Sequence, residues 1–309
     1  MVKTVRETIK SIVRDHLKKF KGLAFGQCLT AVGWVGGTLP ELYEKDGMIE
    51  LATSDVSNGG IVVGAGLMKK RPIYIIRYQG FNWYNCPMIV NYACKSKEIW
   101  KVPCPIFIRS IGMEGGIGPV AGSSHHSLYY RMPGIKIASP MTPKEYLNVY
   151  NNFMKDDDVY YISEHRKSYD NYEELKDILN HNEFDIIIFS ISVTRFEALK
   201  AKKILDKKNI KIGVINILWL KPLKIKKYWL QALHKSIFGG IVIDDDYEDG
   251  VAKNIANDLN ILSGKKIYTL GLKNRSAGFH SKVDNLPPSS IEISRKILKI
   301  IKLNSFNKK

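Results

Sequence analysis

The sequence predicts an α/β protein of two domains, each a mostly parallel sheet with helices on both faces, and three observations lead there. Short apolar runs recur as continuous blocks, without in-out alternation, which is how strands covered on both faces read. Longer segments of helical period separate them. The alternation breaks in a polar, acidic stretch near 167–182 and then restarts, so domains are expected over residues 1–175 and 176–309. With 309 residues and 45% hydrophobic composition, the chain has enough apolar surface for two cores.

In order, Val5, Ile9, Ile12, Val13, His16 and Leu17 fall on one helical stripe, with Lys and Arg opposite, so a helix opens the chain. Strand-like LAF follows at 23–25, then a helical Ile61 to Met68, PIYIIRY at 72–78, a helix over Met88 to Trp100, and PIFIRS at 105–110. IKIAS at 135–139, a helix from Pro143 and VYYIS at 159–163 complete the first domain. In the second, strands are expected at 185–190, 211–217, 239–245 and 266–272. Helices are expected over Phe196 to Lys207, Ile225 to His234, Val251 to Leu262 and Ile291 to Ile301.

No apolar run approaches the ~20 residues that span a bilayer, and MVKTVRETIKSIVRDHLKKF reads as a charged amphipathic helix, not a signal peptide. A cytoplasmic protein with no membrane association is expected. The four cysteines show no CxxC spacing and read as buried free thiols, with no metal site among them. The formal charge of +17 is spread over every helix without a nucleic-acid motif, which argues against nucleic-acid binding. A positive field also raises the encounter rate with an acidic partner or a phosphorylated substrate.

Parallel sheets bind ligands beyond the carboxyl ends of their strands. Three segments fit that position: the Ser54-Asp55 turn, the aromatic run Tyr78 to Asn85, and the Gly-rich Met113 to Ser127 with His125-His126. Asp55 opens the small-residue segment DVSNGGIVVGAGL; a carboxylate in a close-packed, water-poor setting suits proton chemistry, and the same position also suits a helix N-cap. Tyr78, Phe81, Trp83 and Tyr84 read equally as core aromatics, and the histidine pair as a surface turn.

Taken in order, the first domain resembles the pyrimidine-binding domain of thiamine-diphosphate enzymes of the transketolase superfamily, most closely the β subunits of two-subunit 2-oxo-acid dehydrogenases. The resemblance rests on VRETIKSIV, FGQCLTAVGWVGGTLPELYEKDG, SDVSNGGIVVGAGL, IIRYQGFNWYNCPMIVN, GGIGPVAGSSHHSLYYRMPGIKIASPMTPKEY and DDDVYYISEHRKSY. VINILWLKPL and IVIDDDYEDGVAKNIA are similar to the transketolase C-terminal domain.

What the resemblance implies is specific. Thiamine diphosphate loses its thiazolium proton to its own aminopyrimidine, once a protein carboxyl protonates the opposite ring nitrogen. Asp55 falls on the family's catalytic glutamate, one methylene shorter, which moves the carboxyl by roughly 1.3 to 1.5 Å. Tyr78, Phe81 and Tyr84 fall on the pyrimidine pocket, with Phe81 stacking on the ring, and Trp83 on a core or subunit-contact position. His126 aligns with the active-site histidine that binds substrate or relays protons, with His125 a weaker candidate beside it; Arg166 and Lys167, by their position just after the last strand of the first domain, read as substrate or partner contacts or equally as solvated linker charges.

The GDG motif with a downstream Asn that holds Mg²⁺ and the diphosphate in this family does not occur in this sequence. The acidic run Asp244 to Asp246 reads as a structural or interface feature, and no metal ligand is assigned. The resemblance therefore implies a β-type subunit that self-associates and joins an alpha-type subunit carrying the diphosphate site, as α2β2. The expected reaction cleaves a C–C bond next to a carbonyl of a ketose or 2-oxo acid and transfers a two-carbon or acyl fragment. Alternatives are a 2-oxo-acid dehydrogenase β subunit serving a lipoyl protein, and a non-catalytic structural or regulatory subunit.

Overall fold

The computed structural model describes residues 3–113, 122–276 and 285–306. A seven-stranded sheet runs β2 (Met48–Glu50), β1 (Ala24–Gly26), β3 (Ile73–Ile76), β4 (Phe107–Gly112), β6 (Val159–His165), β5 (Ile135–Ala138) and β9 (Trp219–Lys221). All pairings are parallel except β5 with β9. A second, wholly parallel sheet runs β11 (Ile267–Leu272), β10 (Gly240–Tyr247), β7 (Ile186–Ile191) and β8 (Ile212–Ile217). The predicted strands all appear; β2 and β9, three residues each, carry too little pattern to be read.

The helices are α1 (Val5–Lys18), α2 (Ala31–Gly37), α3 (Asp55–Leu67), α4 (Asn82–Met88), α5 (Cys94–Trp100), α6 (Ser127–Tyr130), α7 (Pro143–Met154), α8 (Thr194–Asp206), α9 (Lys227–His234), α10 (Val251–Ser263) and α11 (Ser290–Phe306). None among the described residues is long and apolar enough to cross a membrane. α1 starts at a capping box in which Thr4 and Glu7 satisfy each other's backbone N–H groups, and its apolar stripe is buried. The helix expected over Met88 to Trp100 is divided: α4 carries Pro87, and a π-helical turn over Ile89–Ala93 leads into α5. α3 begins at Asp55 itself, earlier than its apolar period suggests.

Small residues on α3 allow close packing. A Cβ on Gly59 would lie 3.2 Å from Met88 Cβ and 3.3 Å from the Asn85 carbonyl oxygen, and one on Gly66 would lie 2.7 Å from Cys104 Sγ. Glycine at these two positions lets α3 approach α4 and the β4 side of the sheet. Three of the cysteines, Cys86, Cys94 and Cys104, are buried free thiols; Cys28 departs from expectation by being exposed.

The expected linker is pinned near its middle, on either side of residues 175–176. The Glu174 carboxylate accepts from Thr142 Oγ1 at 2.8 Å and Lys144 N at 3.2 Å, while Asp177 accepts from Asn216 N at 2.8 Å and Tyr228 Oη at 2.5 Å. Contact with the first half thus changes to contact with the second within three residues. One apolar cluster includes Phe25, Val62 and Ile108 together with Ile187, Phe189 and Val242, so the two halves share a core.

Inside the first sheet, Arg109 on β4 donates from Nε and Nη2 to Glu164 on β6 at 3.0 and 2.6 Å, both side chains almost wholly buried. Tyr169 Oη also donates to Glu164, and Arg109 Nη2 to Thr38 Oγ1 at 3.0 Å. Removing one member strands the other charge in a low-dielectric interior. Glu164→Ala is therefore expected to lower unfolding stability in urea by ~3–5 kcal/mol, whereas Asp170→Ala, which breaks an exposed pair with Arg6, changes it little. Equal losses in the two variants would contradict this.

Candidate functional site

Beyond the carboxyl ends of β1 and β3, where α3 starts and the chain turns into α4, lies a cavity of about 250 Å³. Asp55, Tyr78 and Phe81, three of the sequence-predicted residues, line it together with Gln27, Arg77 and Asn85. Ile75 and Ile76 add apolar wall. The rings of Tyr78 and Phe81 lie 5.8 Å apart at 51°. Asp55 is the first residue of α3, where the unpaired N–H groups of a helix start favour a negative charge. Its Oδ1 accepts from Gln27 Nε2 at 3.0 Å and from Asn85 Nδ2 at 3.4 Å. Asn85 also donates to the Phe81 carbonyl at 3.0 Å and accepts from Tyr74 Oη. Burial, and then the Asp55 carboxylate, push the Tyr74 hydroxyl well above its usual range, so it stays a donor.

The water-poor setting expected for Asp55 is only half present: its side chain is half-buried, because Thr53, Ser54, Val56 and Ser57 around it are exposed. Arg77 and Arg166 each place a guanidinium 5.7 Å from the Tyr78 ring centroid. Arg77 Nε and Arg166 Nη2 are buried without a hydrogen-bond partner.

Two predicted residues lie elsewhere. Tyr84 is 53% exposed and does not line the cavity. From Asn82 onward the chain is helical, and its buried face is Asn82, Asn85 and Cys86, which turns Trp83 and Tyr84 outward. Trp83, at 59% exposed, is not a core residue in this chain. His126, expected at the substrate, is fully buried at the junction of the two halves. Its Nε2 bonds Asp244 Oδ2 at 2.9 Å and its Nδ1 bonds Ser163 Oγ at 3.0 Å, which leaves neither nitrogen for a substrate. His125 is half-buried, with its ring 6.2 Å from both Trp83 and Tyr247. The Gly-rich segment 114–121 lies outside the described residues.

The acidic run is the other half of this junction. Asp245 accepts from Ser124 Oγ at 2.7 Å and Ser192 Oγ at 2.8 Å, and Asp246 accepts from Ser127 N at 2.8 Å. Burial works against the charge on His126, but Asp244 outweighs it and raises the imidazole to about 10. Burial beside Asp244 pushes Asp245 upward. Burial also lowers His165 to about 3, so that ring is neutral. Ligand atoms of His126, Asp244 and Asp245 lie within 4.8 Å of one another, the spacing of a metal set, but protein hydrogen bonds already engage all three side chains. Mg²⁺ prefers an oxygen shell with several waters, so this buried cluster fits an interdomain lock better.

Gln27, Arg77 and Asn85 escaped the sequence reading. Gln27 follows the last residue of β1, and Asn85 stands one helical turn after Phe81, so strand-end position and i+4 spacing were the available signals.

Residues 38–171 match the family model described as transketolase, pyrimidine binding domain, and residues 177–263 match transketolase, C-terminal domain. The chain is 23% identical to the pyruvate dehydrogenase E1 component subunit beta of Bacillus subtilis over 279 residues, 83% of this chain and 84% of that protein. It is 25% identical to the acetoin:2,6-dichlorophenolindophenol oxidoreductase subunit beta of Cupriavidus necator over 250 residues, 74% of this chain and 71% of that protein. Among solved structures, a split gene transketolase, described as an inactive beta4 tetramer, superposes with a TM-score of 0.73 at 14% identity, over 98% of this chain and 99% of that one. A transketolase from Pichia stipitis superposes with a TM-score of 0.74 at 14% identity, and the match spans 46% of its chain.

The buried His126 charge gives a pH signature. A histidine whose folded value is raised stabilises the fold fully below its unfolded value near ~6.5, and that contribution is lost as pH rises through about 10. Urea stability is expected to fall by a few kcal/mol between those limits in the wild type and to fall less steeply in His126→Gln. Identical pH slopes would remove the charged His126 from the account.

Proposed function

Because the chain belongs to the transketolase superfamily of thiamine-diphosphate-dependent enzymes, we propose that it is the β-type subunit of a two-subunit enzyme that cleaves a carbon–carbon bond next to a carbonyl. The acyl or two-carbon fragment then passes to an acceptor. The observation that carries the reading is Asp55 in the same cavity as the Tyr78 and Phe81 rings, at the carboxyl ends of parallel strands. The relatives named above are themselves β subunits, and they span most of both chains compared.

The cavity fits the pyrimidine half of thiamine diphosphate. Three aromatic rings, of Tyr74, Tyr78 and Phe81, and two isoleucines suit a flat heterocycle, and a carboxylate suits its ring nitrogen. When bound, the cofactor supplies an acidic carbon that adds to a carbonyl and accepts the electrons of the broken bond. Phe81 and Tyr78 would orient the ring, and Asp55 would hold the proton that the ring nitrogen shares. Arg77 and Arg166, with unpaired N–H groups, would draw an anionic donor, either a 2-oxo acid or a ketose phosphate. The diphosphate and its Mg²⁺ would be held by an alpha-type partner, in an α2β2 assembly, and closure by that partner would complete the drying of Asp55.

The 2-oxo-acid reading, with acyl transfer to a lipoyl protein, is favoured by the sequence relatives. These include the 2-oxoisovalerate dehydrogenase subunit beta of Bacillus subtilis, 24% identical over 256 residues.

Co-expression with the partner should yield a complex holding one thiamine diphosphate per chain, and Asp55→Asn should lower turnover by ~100-fold or more with assembly unchanged. A stable complex without cofactor would favour a non-catalytic subunit instead. Arg166→Ala is expected to raise KM for an anionic donor by ~10-fold with a smaller change in kcat; an unchanged KM would clear Arg166 of that role.

A further inference from the structure

We propose that Gln27 and Asn85 are positioning residues that adapt this site to an aspartate, clamping Oδ1 of Asp55 and leaving Oδ2 as the atom that meets the cofactor ring. The inference rests on the thiamine-diphosphate reading above.

The geometry begins with the donors. Both bonds to Asp55 reach the same oxygen, and both come from side-chain amides on different elements: Gln27 just after β1 and Asn85 within α4. An amide nitrogen only donates, so Oδ1 is held as an acceptor. No hydrogen bond to Oδ2 is recorded from the described residues, and Asp55 lines the cavity. A proton shared with a ring nitrogen therefore resides on Oδ2.

The orientation of the Asn85 amide is itself fixed. Its nitrogen faces the Phe81 carbonyl, which can only accept, and its oxygen takes the Tyr74 hydroxyl. Phe81 and Asp55 are thus tied through one amide, which couples the ring platform to the carboxyl.

The clamp also accounts for the short side chain. Gly59 lets α4 come so near α3 that even one methyl group there would crowd the Asn85 carbonyl at 3.3 Å. At that separation an aspartate reaches the Asn85 amide. A glutamate would carry its carboxyl roughly 1.3 to 1.5 Å past both donors.

The test uses the assembled complex with thiamine diphosphate and Mg²⁺, followed by calorimetry for cofactor affinity and by near-ultraviolet circular dichroism for the protonation state of the bound ring. Gln27→Met keeps the side chain's length at a half-buried position. It is expected to leave cofactor affinity within ~3-fold while moving the pH of the ring transition by about one unit, the size of a lost charge-assisted bond. Asp55→Glu is expected to lose ~10-fold or more in turnover. The swap Asp55→Glu with Gln27→Asn, which shortens the donor by the methylene that the carboxylate gained, should recover part of it and part of the dichroism signal. An unchanged transition in Gln27→Met, or Asp55→Glu as active as the wild type, overturns the clamp while the functional reading stands. A wild-type complex that binds no thiamine diphosphate overturns the functional reading and the clamp with it. Should Gln27→Met fail to assemble, the glutamate variant and its swap decide.

Discussion

The burial of three consecutive aspartates at the end of β10 against a single imidazolium is the constraint on which the rest of the structure depends. Three carboxylates out of water are costly, and an apolar contact of the same size would be at least as stable. The cluster supplies geometry instead. Asp244 takes His126, Asp245 takes Ser124 and Ser192, and Asp246 takes the Ser127 backbone, so the loop after residue 122 can sit on the second sheet in one register. Ser163 holds the other side of His126 and ties the same loop to β6. Through β6 the lock reaches Glu164, and so the Arg109 pair that crosses the first sheet. Two buried charged clusters thus meet at adjacent residues of β6, Ser163 and Glu164.

The end of the first sheet that carries the Asp55 cavity is built differently. It is open, half wet and lined by side chains with unused donors and acceptors, as a surface that is complete only against something else would be. Val56, Ile61, Trp83 and Tyr84 are all about half exposed or more on α3 and α4, beside the helix that carries Asp55. A closed, hydrogen-bonded interior thus adjoins an open edge with exposed apolar side chains.

Much of this was legible in the sequence because buried parallel strands leave blocks such as IIIF and GIVI that allow few alternatives. Asp55, Tyr78 and Phe81 were legible because they fall at strand ends and their order is distinctive. Tyr84 was misplaced because a run of aromatics looks the same in an extended or a helical segment, and the start of α4 at Asn82 turns it by about 100° per residue. Of the histidine pair, sequence spacing could not tell which ring faces the carboxylates, since their partners lie more than a hundred residues away. Gln27 and Asn85 left only a faint trace, a strand-end position and an i+4 spacing from Phe81, because a single amide has no charge to mark it.

α10 follows Gly250, which has no side chain to satisfy the free N–H groups of the helix start, and a Cβ there would collide with Ser127 Oγ at 2.1 Å. Ser127, from the other half of the chain, supplies the missing acceptor to Val251 N at 3.0 Å. The second half therefore borrows the beginning of one of its helices. A border drawn at the linker is crossed by this cap and by β9, which leaves the second half to pair with β5 in the first sheet. Grafting the second half onto another first half would leave the start of α10 uncapped unless the loop that carries Ser127 went with it.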